Sequence, residues 1–339
     1  MKKKIFVTGG AGYIGSHACV ELLRKNHEVM VFDDLSNSCE DALRRVELIT
    51  NRKLRFELGD IINERQLSDA ITSFKPDSVM HFAGLKAVAE SVSQPLRYYD
   101  VNVHGSINLL KAMDKVDCKE IIFSSSAAVY GEINIPPYTE MMPVDPVSPY
   151  GRTKLIFENI LQDWTSTCDT KRAVILRYFN PVGAHTSGLL GEDPKDMPNN
   201  LMPLIVQAAR NKRHEISIFG ADYETRDGTG ERDYIHVMDL ALGHVQALNE
   251  MSQLERFQVL NLGTGKGTTV KELIRTFEKI NNISVVTNLV ERRPGDVAKS
   301  FADPGLAREL IGFECNKTLD DICSDTWNWI TKNPSGYDT

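Results

Sequence analysis

Cysteine is scarce and scattered in this sequence. Six occur in 339 residues: Cys19, Cys39, Cys118, Cys168, Cys315 and Cys323. None forms a CxxC pair, and no neighbouring pair of histidines completes a zinc set. The pattern argues against a disulfide framework and a metal site, and reads as reduced thiols in an intracellular chain. Positive charge is also short, since Lys+Arg 39 against Asp+Glu 46 leaves −7. That balance excludes nucleic acid as the main partner, because phosphate backbones need a concentrated basic face. A small anionic ligand, which needs only a few local cations, stays open. Long apolar runs are missing too. Lys2, Lys3 and Lys4 precede only Ile5, Phe6 and Val7 before Thr8-Gly9-Gly10. That is too short for a secretory signal core and far below the ~20 residues of a membrane span. Internal repeats, low-complexity tracts and polar linkers are absent as well. A soluble, cytoplasmic chain with no membrane partner is expected.

What is present is ordinary for a globular protein, with 42% hydrophobic and 25% charged residues. The length allows about two domains with ample core. Candidate strands are Lys4–Val7, Val29–Asp33, Leu54–Leu58, Ser78–Phe82, Glu120–Ser124 and Ala173–Tyr178. Their near-continuous apolar character fits strands buried on both faces of a parallel sheet. Helical patterns alternate with them: Ile14, Ala18 and Leu22 recur every four residues, and Ile107, Leu110 and Met113 every three. The alternation predicts an α/β fold, a Rossmann-like doubly wound parallel sheet over residues 1–180. Residues 181–203 are rich in Gly, Pro, Asn and Asp and read as long loops. Helical patterns at Leu201–Asn211, Val237–Met251 and Val270–Ile280 and a strand at Phe257–Leu262 then predict a smaller α/β lobe over 181–339. The segment around 234–263 is expected to pack back onto the first domain.

The first strand runs directly into Gly9-Gly10-Ala11-Gly12-Tyr13-Ile14-Gly15. Gly9 permits a tight turn, Gly12 lets backbone N–H groups approach a pyrophosphate, and Gly15 allows helix and strand to pack closely. The helix N-terminus contributes partial positive charge to the phosphates. Asp33 ends the second strand, 18 residues beyond Gly15. Its carboxylate can accept hydrogen bonds from ribose hydroxyls and would repel a 2′-phosphate. Asp34 adds negative charge and no Arg lies in Asp33–Ser38, so the pattern points to NAD rather than NADP. Asp60-Ile61 fits either an adenine-edge contact or a strand-end cap.

Tyr150-Gly-Arg-Thr-Lys154 places a phenol and an ammonium four residues apart. On a helix they share a face. An ordinary tyrosine, with a pKa of ~10, is a poor base at neutral pH. The Lys154 charge and a nicotinamide cation are expected to lower that value. Tyr150 could then take a hydroxyl proton while hydride leaves the same carbon, with Ser126, at a strand end, bonding the reacting oxygen. His81 and His236 read as buried hydrogen-bonding residues.

These features resemble the extended short-chain dehydrogenase/reductase family and, more closely, its UDP-hexose 4-epimerase branch. The resemblance runs nearly end to end through Val7–His17, His81–Val88, Ser124–Gly131, Ser148–Lys154, Leu176–Ala184, Pro198–Pro203 and Gly228–Asp239. Phe82–Lys86, Asn180-Pro181 and Asn199–Met202 are its most specific parts. The resemblance implies NAD contacts from Tyr13, Ile14, Asp33, Asp34, Leu35, Ser36, Asn37, Ser38, Asp60 and Ile61. It implies further ones from Phe82, Ala83, Gly84, Leu85, Lys86, Asn102, Ser126, Tyr150, Lys154 and Phe179. It implies nucleotide-sugar contacts from Lys86, Ser126, Tyr150, Asn180, Asn200, Leu201, Ser217, Ile218, Phe219, Arg232, Arg293, Asp296 and Ser300. Arg232 and Arg293 are the cations a UDP diphosphate requires in an acidic chain. The implied activity is NAD-dependent inversion at C4 of UDP-glucose and UDP-galactose through a 4-keto sugar. A homodimer through helices near Pro95–Lys115 and Tyr150–Trp164 is also implied.

Ser300 departs from narrower members of the branch, which carry a bulky Tyr there. A small residue leaves room for an N-acetyl group, so UDP-GlcNAc and UDP-GalNAc are expected substrates too. Two other readings compete. A sugar-nucleotide 4,6-dehydratase needs an acid and a base beside its hydroxyl residue, but Ser126 is followed by Ala127-Ala128. A catalytically silent NAD sensor would be expected to lack the Tyr/Lys pair.

Overall fold

Successive residues of the first strand enter different cores. Ile5 and Val7 point into one, Phe6 into the other, and Val29 and Val31 against Met30 and Phe32 repeat the alternation. Both faces of the sheet are therefore apolar, and its strands read as unbroken hydrophobic runs. The computed structural model describes residues 2–195, 200–210, 215–293 and 296–337. Six strands come from the first half: β1 Lys4–Thr8, β2 Glu28–Asp33, β3 Arg55–Leu58, β4 Ser78–His81, β5 Glu120–Ser124 and β6 Arg172–Tyr178. All pair in parallel, in the order β3-β2-β1-β4-β5-β6. The winding direction reverses between β1 and β4, and ligands of such sheets bind beyond the strand C-termini at that point.

The helices of this half are α1 Tyr13–Arg24, α2 Glu40–Thr50, α3 Glu64–Phe74, α4 Val88–Ser93, α5 Pro95–Tyr99, α6 Gly105–Lys115 and α7 Pro149–Ser166. One π-turn, Asp100–His104, joins α5 to α6. Residues of α1 and α2 fill one core and those of α3, α6 and α7 the other. α7 begins sharply because Ser148 accepts from the Gly151 amide and Pro149 has the backbone angle a first helical residue needs.

The second half contains β7 Asn180–Val182, α8 Leu201–Arg210, β8 Ile216–Phe219, β9 Glu231–Arg232, β10 Tyr234–His236, α9 Val237–Glu250 and β11 Phe257–Leu262. It continues with β12 Thr268–Thr269, α10 Val270–Asn281, β13 Thr287–Val290, β14 Lys299–Ser300, α11 Gly305–Ile311 and α12 Leu319–Lys332. β11 pairs parallel with β6, Phe257 opposite Ala173 and Leu262 opposite Tyr178, and becomes the seventh strand of the main sheet. α9 packs on α1. A separate core joins α8, β8, α10 and α12 through Met202, Ile205, Ile218, Leu273, Phe277 and Ile322. No helix among the described residues is long and apolar enough to cross a membrane.

One expectation needs correction. Residues 181–203 are not loop up to the helix expected from Leu201: Pro181 lies inside β7, paired with β10, while Leu201 does open α8. The strand is held by a ladder partner some fifty residues away, which local composition does not reveal. Pro198 and Asn199, both in motifs singled out above, lie outside the described residues, as does Asn211.

Candidate active site

The glycine loop is shaped by contacts that a side chain would destroy. Gly9 has φ +69°, and a Cβ there would lie 2.5 Å from the Ala83 nitrogen. A Cβ on Gly15 would lie 2.3 Å from the Gly9 oxygen. Gly12 differs: its Cβ would meet only the Gly9 oxygen, at 3.3 Å, so its bareness leaves open space at the helix start. α1 has no side-chain cap, and its first-turn amides remain available to a ligand. Opposite them, Asp33 is buried. It accepts from the amides of Ala11 at 2.9 Å and Leu35 at 3.0 Å and from Ser38 Oγ at 2.8 Å. Burial raises its pKa, and those three bonds pull it back. Asp34 bonds the Ser36 amide and hydroxyl. Asp60 accepts from the Ile62 amide at 2.9 Å, in the turn just past β3. Ile61 is buried against Gly105.

Across the switch point, the chain leaving β4 is pinned from below. Thr8 Oγ1 bonds His81 Nδ1 at 2.6 Å, and His81 Nε2 bonds Ser106 Oγ at 2.8 Å. Burial pushes His81 down to about 3, leaving it neutral. The Phe82 and Ala83 amides both donate to the Thr8 oxygen. Gly84, at φ +154°, would bring a Cβ to 3.0 Å from Asn102 Oδ1. Asn102 itself is engaged on every side: Oδ1 accepts from the Leu85 amide, while Nδ2 donates to the Leu85 oxygen and to Thr153 Oγ1. Its amide therefore shapes the Gly84–Leu85 loop. Lys86 is half exposed and pairs with Glu192 at 3.2 Å.

α7 brings Tyr150 and Lys154 beneath the end of β5, both buried. Lys154 Nζ donates to the Ser124 oxygen at 2.9 Å and lies 4.9 Å from the Phe123 ring centroid. Burial lowers its pKa to about 8, with the Glu158 charge opposing the fall. Burial raises the Tyr150 pKa, and the Ser126 hydroxyl beside it pulls the other way. Lys154 Nζ sits 5.9 Å from the phenol ring centroid, committed to a backbone oxygen, and does not offset the loss of water. Ser126 Oγ also caps a short 3-10 turn through the Ala128 amide.

Asp233 holds Asn180 and Ser300 together with its neighbour Arg232. Its amide donates to the Ser300 oxygen and its own oxygen accepts from the Asn180 amide. Its fully buried carboxylate gathers Thr264, Gly265 and Ala302. Ser300 thereby lies beside Arg232 in the β14–β9 ladder and next to the Tyr138 phenol, and Tyr138 in turn packs on Phe179. Arg232 reaches Asp296 at 3.5 Å, and the Arg293 guanidinium stacks 3.6 Å from the Phe219 ring centroid. Ile218 is buried, whereas Ser217 points outward. Asn200 is exposed and Leu201 packs into the lobe core, so neither is drawn to the others.

Sequence reasoning missed three participants. Asp233 sits in a motif but bears no spacing signal. Glu158 lies four residues beyond Lys154, a spacing that could have identified it. Lys195 reaches back across 160 residues: Nζ bonds the Leu35 oxygen at 2.6 Å, and its amide bonds Asn37 Oδ1 at 3.0 Å. No local pattern foretells that.

A family profile described as GDP-mannose 4,6 dehydratase matches residues 6–326. The chain is 49% identical to the UDP-glucose 4-epimerase of Dictyostelium discoideum, over 98% of this chain and 97% of that protein. A solved UDP-glucose 4-epimerase from Stenotrophomonas maltophila, with bound NAD and formylated UDP-arabinopyranose, superposes with a TM-score of 0.95 at 45% identity, covering 98% of this chain and 99% of that one. Another from Bifidobacterium longum, in complex with NAD+ and UDP, gives 0.93 at 45% identity with the same coverage.

Proposed function

The chain belongs to the UDP-glucose 4-epimerase family, and from that premise we propose that it inverts C4 of UDP-glucose and UDP-galactose with a retained NAD, and does the same for their N-acetylamino counterparts. The observation that carries the reading is the convergence of Ser126, Tyr150 and Lys154 at the end of β5, beside an uncapped helix start and a bare Gly12.

The first-turn amides of α1, Tyr13 and Ile14 among them, hold the pyrophosphate, and Asp33 faces the adenosine ribose. Bound NAD supplies reversible hydride chemistry at the sugar C4. Tyr150 Oη takes the C4 hydroxyl proton as the carbon is oxidised and returns it when the alcohol re-forms. Ser126 Oγ bonds the same oxygen and holds it in line with the phenol. Lys154 contributes its positive charge under the site. Arg232 and Arg293 grip the diphosphate, so the hexose is the part left free to turn and expose its other face. Ser300, small and adjacent to the Tyr138 phenol, leaves space at the sugar for an acetamido group.

A dehydratase reading would follow from the description of the matching family profile. Ala127 and Ala128 speak against it, because water elimination needs an acid and a base where this chain has two methyl groups. The decisive assay mixes the purified chain with UDP-galactose and no added NAD. UDP-glucose without net NADH is expected, and Tyr150→Phe is expected to slow the reaction by roughly 10²–10⁴. A 4-keto-6-deoxy product, or an undiminished Tyr150→Phe variant, would reject the reading.

A further inference from the structure

We propose that Glu158 is a positioning residue for the epimerase reaction: one helical turn beyond Lys154, it grips the strand end that carries Ser126 and holds the lysine in its charged form. The inference rests on the reading that Lys154 serves the reaction as an ammonium.

Tyr150, Lys154 and Glu158 recur every four residues on α7 and all three are buried, so they line one stripe of the helix. The first two have tasks in the proposed chemistry and Glu158 has none. Yet its side chain is only 3% exposed, a costly setting for a carboxylate unless each oxygen is well bonded. Its bonds point to the site. Ser125 Oγ donates to Oε1. Arg177 from β6 completes a two-pronged pair, with Nη2 at 2.6 Å from Oε2 and Nε at 3.1 Å from Oε1. The Arg177 guanidinium is itself held 5.0 Å from the Tyr130 ring centroid. Ser125 stands between Ser124, whose oxygen accepts from Lys154, and Ser126. Glu158 therefore fixes the middle of the three residues on which both the lysine and the hydroxyl depend.

The second effect is electrostatic. Around Lys154, β5 offers the Ser124 oxygen and the Phe123 ring face. β4 offers His81, which burial keeps neutral. The Gly84 loop and the π-turn bring only the uncharged Asn102. On α7 itself stand Tyr150 and Glu158, and behind Glu158 lies the cation of Arg177 from β6. Among the described residues Glu158 is the one opposite charge acting on this ammonium, and it raises the lysine pKa against the downward push of burial.

Removing Glu158 alone would strand a buried Arg177 and threaten folding. The main test is therefore the double variant Glu158→Met/Arg177→Met, with Ser125→Ala and Glu158→Asp as milder partners. Circular dichroism checks folding, and kcat on UDP-galactose is followed against pH in the holoenzyme. In parallel, protein labelled with 13C at lysine Cε reports the titration of Lys154 by NMR, the signal assigned with Lys154→Arg. The expected double variant keeps KM within about twofold and loses about tenfold in kcat at pH 8. Its alkaline limb and its Lys154 titration both move about one pH unit lower, which accounts for about fivefold of that loss at pH 8, the rest coming from the loosened strand end. Ser125→Ala lowers kcat without moving the limb. A folded double variant with parental kcat and parental limb overturns the proposal, and so does a loss of rate with Lys154 titrating as before. If the double variant does not fold, parental kcat in both Ser125→Ala and Glu158→Asp overturns it. A parent inactive on UDP-galactose, or a Lys154→Met variant at full rate, defeats the underlying reading instead.

Discussion

Burial disfavours the charged form of both Tyr150 and Lys154, raising the phenol's pKa and lowering the ammonium's. For the lysine the sign is straightforward. Its native pKa is depressed to about 8, so the ammonium is present below that pH and is lost as pH rises through it. If the charge is needed, kcat falls on the alkaline side near pH 8 rather than in the usual lysine range. Lys154→Arg, which stays charged at every accessible pH, is expected to remove that limb while lowering the plateau. A pH–rate profile of both proteins decides it; a parent profile flat to pH 10 would show that the charge is not required. Ser300 offers a second residue-level test. The hydroxyl lies beside Tyr138 and opposite Arg232 in the ladder, so a ring placed there projects into the same space. Ser300→Tyr is expected to cut kcat/KM for UDP-GlcNAc roughly 100-fold and that for UDP-glucose by much less. Equal losses on both substrates would mean that the position does not discriminate between them.

Elements close in sequence were legible, and most of those held together from afar were not, the strand Phe257–Leu262 that joins β6 being the exception. The glycine loop, its strand and its helix announce themselves because turn, close approach and amphipathic period fall within 25 residues. The YxxxK pair is visible for the same reason. What stays hidden is whatever depends on a distant partner: the β7–β10 ladder, the anchoring carboxylate of Asp233, and the segment Gly191–Lys195. That segment rests on the C-terminal region, with Gly191 N bonding the Tyr337 hydroxyl, Trp329 Nε1 bonding the Glu192 oxygen, and Asp193 receiving the Tyr337 amide. From this base it reaches Lys86 on one side of the switch point and Leu35 and Asn37 on the other. It thus spans the two loops that flank the dinucleotide in the proposed reading, and on that reading cofactor escape would part its contacts. Lys195→Ala is expected to leave kcat on UDP-galactose within about twofold at saturating NAD and to speed the loss of bound NAD on dialysis about fivefold, since the side-chain bond to the Leu35 oxygen, worth roughly 1 kcal/mol, is lost while the amide bond to Asn37 stays. Unchanged NAD retention would show that the segment does not clasp the cofactor.

At the scale of the whole molecule, one surface is out of keeping with a lone chain. Val88 and Val92 on α4 and Leu96 on α5 follow at intervals of four, with exposures of 50%, 66% and 82%. Scattered exposed apolar residues are normal, whereas three so exposed within nine residues are a mark of association. The row lies on the short helices that pack against α7, the helix that carries Tyr150, Lys154 and Glu158. A partner covering it would stiffen the support of the proposed active site without contributing a residue to it. The simplest occupant is a second copy of this chain about a two-fold axis, in which the same patch faces itself. Under that symmetry a single substitution acts twice. Leu96→Glu would set two carboxylates close together in an apolar contact, a combination that costs far more than the loss of one leucine. Light scattering is expected to return twice the chain mass for the parent and one chain mass for Leu96→Glu. The parent's melting temperature should rise with protein concentration and the variant's should not. A parent that stays at single-chain mass at tens of micromolar would rule out self-association through this face, and the row would then need a different partner.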